Sequence, residues 1–287
     1  MKICVCDVDG TLVNDYGKLN KFTKDVLIEF QKQGNLLILA SGRSYNRMMS
    51  IALDLQMDIY NGFLIDVNGI SIYSFSNNKR ERFYCLDKNI QKKFFEHFKK
   101  LNIEIKFYGD ESLYTYLPED LYELKKKIRY EMKLPEDYPW ISGEYSLLAD
   151  NRDGYPNQKL IKDIAEIDYK VNKVGLCACH EKLVEIQNDY NKNKVFDNFE
   201  LIFSANRQID IININYSKGS ALKYLLNKYN LANKKIYIFG DSENDISMLN
   251  LSENSYLMDN SKIKSSKFKR TLSNNDDGVA KIIQKII

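Results

Sequence analysis

Short apolar runs that end in polar residues alternate with amphipathic stretches at both ends of this chain. Ile3-Cys4-Val5-Cys6 is uninterrupted apolar sequence that stops at Asp7-Val8-Asp9-Gly10-Thr11. That is the pattern of a buried parallel strand whose C-terminal end opens into a loop. From Thr23 to Gln33 the apolar positions Val26, Leu27 and Phe30 recur at helical spacing, and Gly34 stands where a helix terminates. Asn35 to Ala40 repeats the buried-strand pattern and ends in Ser41-Gly42-Arg43. Ser44 to Leu55 predicts a second helix, and the run from Gly62 through Asp66 to Gly69 a third strand. Strand, helix, strand, helix, strand is the alternation of an α/β layered fold.

The rhythm changes in the middle of the chain. Amphipathic helices are expected over Asn89 to Leu101 and Asp120 to Met132, beside exposed strands such as Leu113 to Leu117 and Lys173 to Cys179. All four prolines (118, 135, 139 and 156) fall here. Beyond it the first pattern returns, with a helix over Ser220 to Tyr229 and a buried strand over Lys235 to Phe239 that ends at Gly240-Asp241. Lys262 to Lys269 reads as a charged turn or helix end. A domain inserted into another explains this return better than two tandem domains. The expected division is therefore an α/β core of residues 1–83 and 209–287 and an inserted α+β domain of residues 84–208.

Composition narrows the class. The chain has 287 residues, is 44% hydrophobic and 28% charged, and carries a formal charge of +3. That balance gives no reason to expect nucleic acid or an anionic membrane as partner. No apolar run approaches the length of a membrane helix, and the N-terminus lacks a signal-peptide pattern, so a soluble, cytoplasmic protein is expected. Five cysteines, an odd number, fit free thiols better than a disulfide framework. With only His97 and His180 present, catalysis is expected to rest on carboxylates and lysine.

Three predicted strands end in polar residues of complementary type: Asp7 and Asp9; Ser41-Gly42; and Asp241 with Asn244 and Asp245. In an open parallel sheet, ligands bind outside the carboxyl ends of the strands, where such groups converge. Gathered carboxylates repel one another, and a hard divalent cation resolves the conflict. An oxygen-only ligand set indicates Mg²⁺ rather than Zn²⁺. Mg²⁺ held by few protein ligands serves phosphate substrates, and Lys218 with the Ser41 hydroxyl adds groups that phosphoryl oxygens require.

Asp7-Val8-Asp9-Gly10-Thr11-Leu12-Val13, Ser41-Gly42-Arg43, Lys218-Gly219 and Gly240-Asp241-Ser242-Glu243-Asn244-Asp245 together resemble, in order, the four motifs of the haloacid dehalogenase superfamily. The resemblance is specifically to the Cof-type hydrolases with a type IIB cap. Asn68-Gly69 and Asn275-Asp276-Asp277-Gly278-Val279-Ala280 agree with it. It implies a Rossmann-like parallel-sheet core with an inserted α+β cap domain, and a phosphatase acting on small phosphorylated metabolites. By the same resemblance, Asp7 would be the nucleophile of an aspartyl-phosphate mechanism and Asp9 the acid and base. Mg²⁺ would be held by the Asp7 carboxylate, the Asp9 main-chain carbonyl and the Asp241 carboxylate. Ser41, Gly42, Lys218 and Asn244 would bind phosphate, with Gly10, Thr11, Arg43 and Asp245 in support.

Other readings stand beside these. A phosphotransferase or mutase would use the same chemistry, and a phosphoacceptor or binding protein would use the scaffold without turnover. Ser41-Gly42 also suits a helix N-cap, and Arg43 either lines the substrate entrance or pairs with a neighbouring acid. Cys177-Ala178-Cys179-His180 invites a zinc reading, but alternate cysteines are expected to share one face of a strand instead. The basic run Lys125-Lys126-Lys127 reads as the wet side of a helix.

Overall fold

Each apolar run that opens or closes the core becomes a strand covered on both faces. The computed structural model describes residues 1–143, 145–193 and 195–287. It begins with β1 (Lys2–Asp7), α1 (Lys21–Lys32), β2 (Leu36–Ala40), α2 (Tyr45–Asp54), β3 (Phe63–Asp66), β4 (Ser71–Ser74) and β5 (Lys79–Arg82). There follow α3 (Lys88–Lys99), β6 (Glu104–Tyr108), β7 (Ser112–Tyr116), α4 (Glu119–Glu131), β8 (Asn157–Ile161), β9 (Lys173–Cys177), α5 (His180–Asn193), β10 (Phe199–Ala205) and β11 (Gln208–Asn213). The chain closes with α6 (Lys218–Lys228), β12 (Lys235–Gly240), α7 (Ile246–Leu249), β13 (Asn254–Leu257), β14 (Lys269–Arg270) and α8 (Gly278–Ile283).

Two compact units result, Met1–Phe83 with Asn215–Ile287, and Tyr84–Ile214. The return to the first unit falls at 214/215 rather than at the expected 208/209. The reason is that β11 belongs to the second unit's sheet, where it pairs with β9 and β10.

The first unit holds an eight-stranded sheet in the order β14-β13-β12-β1-β2-β3-β4-β5. All neighbours from β14 to β3 run parallel, and β4 and β5 add an antiparallel edge. Side chains alternate across the pleat, so Cys4 and Cys6 of β1 face one layer and Ile3 and Val5 the other. The first layer is built by Leu27 and Phe30 of α1, Met48 of α2, and Val279 and Ile283 of α8. The opposite layer comes from Leu222 and Leu225 of α6 and Met248 of α7. Burying each large apolar side chain contributes about 1.5–3 kcal/mol, which is why β1 can remain apolar throughout. Residues 262–268 carry no helix, contrary to one expectation. Their two apolar residues, Ile263 and Phe268, pack against the core but stand five positions apart among lysines and serines, which is not a helical stripe.

The second unit has a six-stranded sheet, β10-β11-β9-β6-β7-β8, antiparallel except where β7 meets β8. Phe94 and Phe98 of α3 and Leu183 and Ile186 of α5 pack on Ile105, Phe107, Val174 and Leu176. β9 is thus a central, largely buried strand rather than an exposed one. It ends at Cys177, which is buried, whereas Cys179 is exposed ahead of α5, so the two cysteines do not share a face.

Lys125 also departs from expectation. Lys126 and Lys127 are exposed, but Lys125 is fully buried, with Nζ 2.7 Å from Oε2 of Glu104. Glu104 further accepts from Ser142 N (2.9 Å) and Ser142 Oγ (2.6 Å). Burial alone would raise the Glu104 carboxyl, but Lys106, Lys125 and Ser142 outweigh it and hold it below its usual range. A buried acid on β6 therefore draws one lysine of the run inward.

Candidate functional site

Asp7 is the last residue of β1, and the chain turns at once behind it, with the N–H groups of Leu12 and Val13 both reaching Val8 O at 3.0 Å. Gly10 sits at φ +76°, and a Cβ there would lie 2.6 Å from Asp241 Oδ2. Glycine is required on both counts, because the β1 and β12 loops touch at this point. Thr11 Oγ1 donates to Asp241 Oδ1 (2.9 Å), and Asn260 Nδ2 donates to Gly10 O (2.8 Å).

Lys218 is not ahead of its helix but in the first turn of α6, with Ser217 as N-cap. Its ammonium is buried between two acids, 2.5 Å from Asp7 Oδ1 and 2.6 Å from Asp245 Oδ1. The other oxygen of Asp245 accepts the N–H groups of Asp241 and Ser242, each at 3.0 Å. Asp245 is thereby saturated and acts as a brace. It fixes the β12 loop and orients Lys218 toward Asp7.

Asp7, Asp241 and Asp245 place carboxylate oxygens within 4.8 Å of one another, the one such metal-ligating group among the described residues. Burial pushes the Asp7 carboxyl well up, Asp245 and Asp241 add to this, and Lys218 opposes it. Asp241 is likewise raised, by burial and then by Asp245. Burial works against the Lys218 ammonium, but Asp245 and Asp7 overcome it and hold the group above its usual range. One buried cation thus faces three acids. Among the described residues Asp7 Oδ2 makes no hydrogen bond, and the Asp241 carboxylate oxygens accept only from Thr11 and Ser242. The chemistry of this donor set, oxygen alone with excess negative charge, fits a hard divalent cation.

Ser41 follows β2 and is buried, while its hydroxyl accepts from Arg43 N at 3.1 Å. Gly42 lies beside Asn68. Ser41 does not cap α2; Ser44 holds that position. Of the two readings of Arg43, the structure shows the pairing. Arg43 Nε donates to Asp9 Oδ2 at 2.8 Å and Nη2 to Oδ1, while Asp9 keeps 56% of its side chain exposed. Asn244 donates from Nδ2 to Asn68 Oδ1 (3.0 Å), and its own Oδ1 is buried without a hydrogen-bond partner. All of the expected residues therefore stand in the first unit, at or just beyond the carboxyl ends of β1, β2 and β12 and at the start of α6.

Ser242, Asn260 and Ser261 escape sequence reading. Ser242 Oγ donates to Asp241 Oδ2 (2.8 Å), and Ser261 Oγ to Asp241 O (2.5 Å). The one available signal is Asp259-Asn260-Ser261 following the short apolar stretch of β13, a further strand end of the same kind. The distal asparagine-rich motif is structural in its contacts: Asn274 and Asn275 donate to Asp15, and Asp277 accepts from Thr23 Oγ1.

The model of the haloacid dehalogenase-like hydrolase family matches residues 4–283. A Buchnera aphidicola relative, BU028/BU029, is 29% identical over 292 residues, spanning 99% of this chain and 96% of its own. Phosphatase YwpJ of Bacillus subtilis is 24% identical over 294 residues, with all of both chains covered. Among solved structures, the subclass IIB sugar phosphatase BT4131 superposes with a TM-score of 0.72 at 17% identity, over 100% of this chain and 99% of that one.

Proposed function

The chain belongs to the haloacid dehalogenase-like hydrolase family, and on that premise we propose that it is a Mg²⁺-dependent phosphatase of small phosphate esters. The observation that carries the reading is Lys218, buried between Asp7 and Asp245 at the carboxyl edge of the sheet. Nucleophile, charge and brace are preassembled there for a dianionic group. Relatives with phosphatase in their names, over the full length of this chain, support the same class.

In this reading Asp7 attacks phosphorus as the bond to the leaving oxygen breaks, giving an aspartyl-phosphate. Asp9 protonates the departing alkoxide and then takes a proton from the water that hydrolyses the intermediate. Arg43 holds Asp9 by a two-pronged pair until substrate draws one of them away. Lys218, Ser41 and the Gly42 amide bind phosphoryl oxygens, with Asn244 beside them and Thr11 and Asp245 steadying Asp241 and Lys218. Mg²⁺, held by the carboxylates of Asp7 and Asp241 and the main-chain carbonyl of Asp9, would supply positive charge that offsets the approach of two anions.

The groups just named grip only the phosphoryl end of an ester. Choice among sugar and cofactor phosphates is assigned to the second unit, the cap. The test is release of inorganic phosphate from a panel of phosphorylated metabolites with Mg²⁺, using Asp7→Asn as control. Several small esters should be hydrolysed. Transfer of the phosphoryl group to a second metabolite without phosphate release would establish a phosphotransferase instead, and no turnover of any ester would overturn the reading.

A further inference from the structure

The turn after β3 touches three of the loops that build the site, and none of the steps above uses it. Ser41 N donates to Ile65 O, Val67 N to Arg43 O and Asn68 N to Ser41 O, each at 2.9 Å. Tyr45 N, at the start of α2, donates to Asp66 Oδ2 at 3.0 Å. Asn68 Oδ1 accepts from Asn244 Nδ2. A Cβ on Gly69 would lie 2.1 Å from Ser217 O and 3.1 Å from Lys218 N, so this glycine packs directly on the backbone that opens α6.

The backbone of this turn is strained. Val67, Asn68 and Gly69 lie consecutively in the left-handed region, at φ 44°, 56° and 97°. Glycine adopts it freely and asparagine tolerates it, but a β-branched residue there costs on the order of 1–3 kcal/mol. Such strain persists only where the surroundings over-determine it. The anchor is Asp66, fully buried, which accepts from Ser71 Oγ and Arg80 Nη2 as well as from Tyr45 N. Arg80 Nε also donates to Ser71 Oγ (3.0 Å), and its guanidinium lies 4.5 Å from the Tyr45 ring centroid.

We propose that Asp66–Gly69 is a positioning element of the phosphate site. The Asp66–Arg80 anchor holds a strained turn, and its backbone and the Asn68 side chain set the spacing among Ser41, Asn244 and Lys218. The inference rests on the phosphatase reading and adds residues that act through others rather than on substrate. Its leverage is geometric, because a displacement of about 1 Å at a reacting group costs up to roughly 10²-fold in rate.

Two kinds of variant test it. Asn68→Ala removes both the acceptor for Asn244 and the tolerance for left-handed backbone, whereas Asn68→Gly removes the acceptor alone. Asp66→Leu with Arg80→Met deletes the anchor without leaving either charge buried and alone. Each is measured for melting temperature, for inorganic phosphate affinity by calorimetry with Mg²⁺, and for kcat and KM on p-nitrophenyl phosphate. Asn68→Ala should melt close to wild type, bind phosphate roughly tenfold more weakly and lose about 10- to 100-fold in kcat/KM, with Asn68→Gly in between. The double variant, if folded, should show the same losses; if it unfolds, the Asn68 pair decides. A folded Asn68→Ala protein with unchanged phosphate affinity, kcat and KM would overturn the proposal. A wild-type protein that neither binds phosphate nor hydrolyses any ester would instead sink the phosphatase reading, and this inference with it.

Discussion

Replacing Asp7 by asparagine should move activity and metal-free stability in opposite directions. At an effective dielectric of about 20, the 2.5 Å contact with Lys218 is worth about 6.6 kcal/mol of attraction. The Asp245 and Asp241 oxygens, within 4.8 Å, each repel Asp7 by about 3.5 kcal/mol or more. Attraction and repulsion nearly cancel, so the cost of burying the Asp7 charge remains uncompensated. The asparagine side chain keeps the shape and sheds that cost, while Lys218 retains Asp245. We expect metal-free Asp7→Asn to gain about 1–2 kcal/mol, the usual return from relieving a functional site. In a unit of this size that is roughly 2–6 °C in the core's thermal transition. Turnover should meanwhile fall by several orders of magnitude, since the proposed attacking group is gone. Mg²⁺ should then raise the melting point of wild type more than that of the variant, because a ligand has been lost. The assay is differential scanning calorimetry in EDTA and in Mg²⁺, paired with phosphate release. A variant that melts below wild type in EDTA would show that the Lys218 pair dominates, and the electrostatic account would be wrong.

Three further outcomes follow. Asp9→Asn should slow turnover by about 10²–10⁴-fold yet leave Mg²⁺ affinity nearly intact, whereas Asp241→Ala should abolish metal binding; calorimetric titration showing the reverse would refute the ligand assignment. Lys125→Met should destabilise the cap by about 3–5 kcal/mol by leaving Glu104 buried and alone, and adding Glu104→Leu should restore most of the loss; an unchanged thermal transition in the single variant would contradict the buried pair. Because the Glu104 carboxyl is held below its usual range, its contribution is complete above about pH 4.5 and is lost as pH falls through its folded value, so acid titration of wild type and Glu104→Gln by circular dichroism should converge at low pH.

The strands that carry the site are legible because both of their faces are covered. β1, β2 and β12 are continuous apolar runs, and the polar residues that end them mark the edge where ligands bind. β5 is hard to see for the converse reason: it is a four-residue edge strand, and Lys79–Arg82 has no apolar position at all; β4, between β3 and β5, is only four residues long and sets its two apolar positions between serines. Lys125 is invisible as a core residue because its partner, Glu104, lies 21 positions away and neither is apolar. Motif spacing singles out Asp7, Lys218 and Asp241, but the bracing by Asp245 depends on which oxygen faces which donor. Arg43 is ambiguous in sequence for the same reason, since either partner suits a guanidinium. The boundary at 214 is obscured because nothing in Gln208–Asn213 distinguishes a strand of one unit from a strand of the other, and only the pairing of β11 with β9 and β10 assigns it to the cap.

The central place of β1 has a consequence for biosynthesis. One of its two neighbours, β2, leaves the ribosome soon after it, but the other, β12, begins at Lys235, beyond the whole insert. At about 5–20 residues per second, the wait is on the order of 10–50 s. Through that interval the nascent fragment shows an unpaired apolar edge where β12 will dock, a template for pairing with other chains. The insert, whose sheet is built entirely from its own strands, can fold in the meantime. Asn274 and Asn275, made later still, then fasten the loop at Asp15 that follows Asp7 and Asp9. The carboxyl end of the sheet, where Asp7, Asp241 and Lys218 meet, therefore matures only once these distant segments have emerged. A product of translation cut short within the insert would carry Asp7 and Asp9 but no brace, no lysine and no closed sheet.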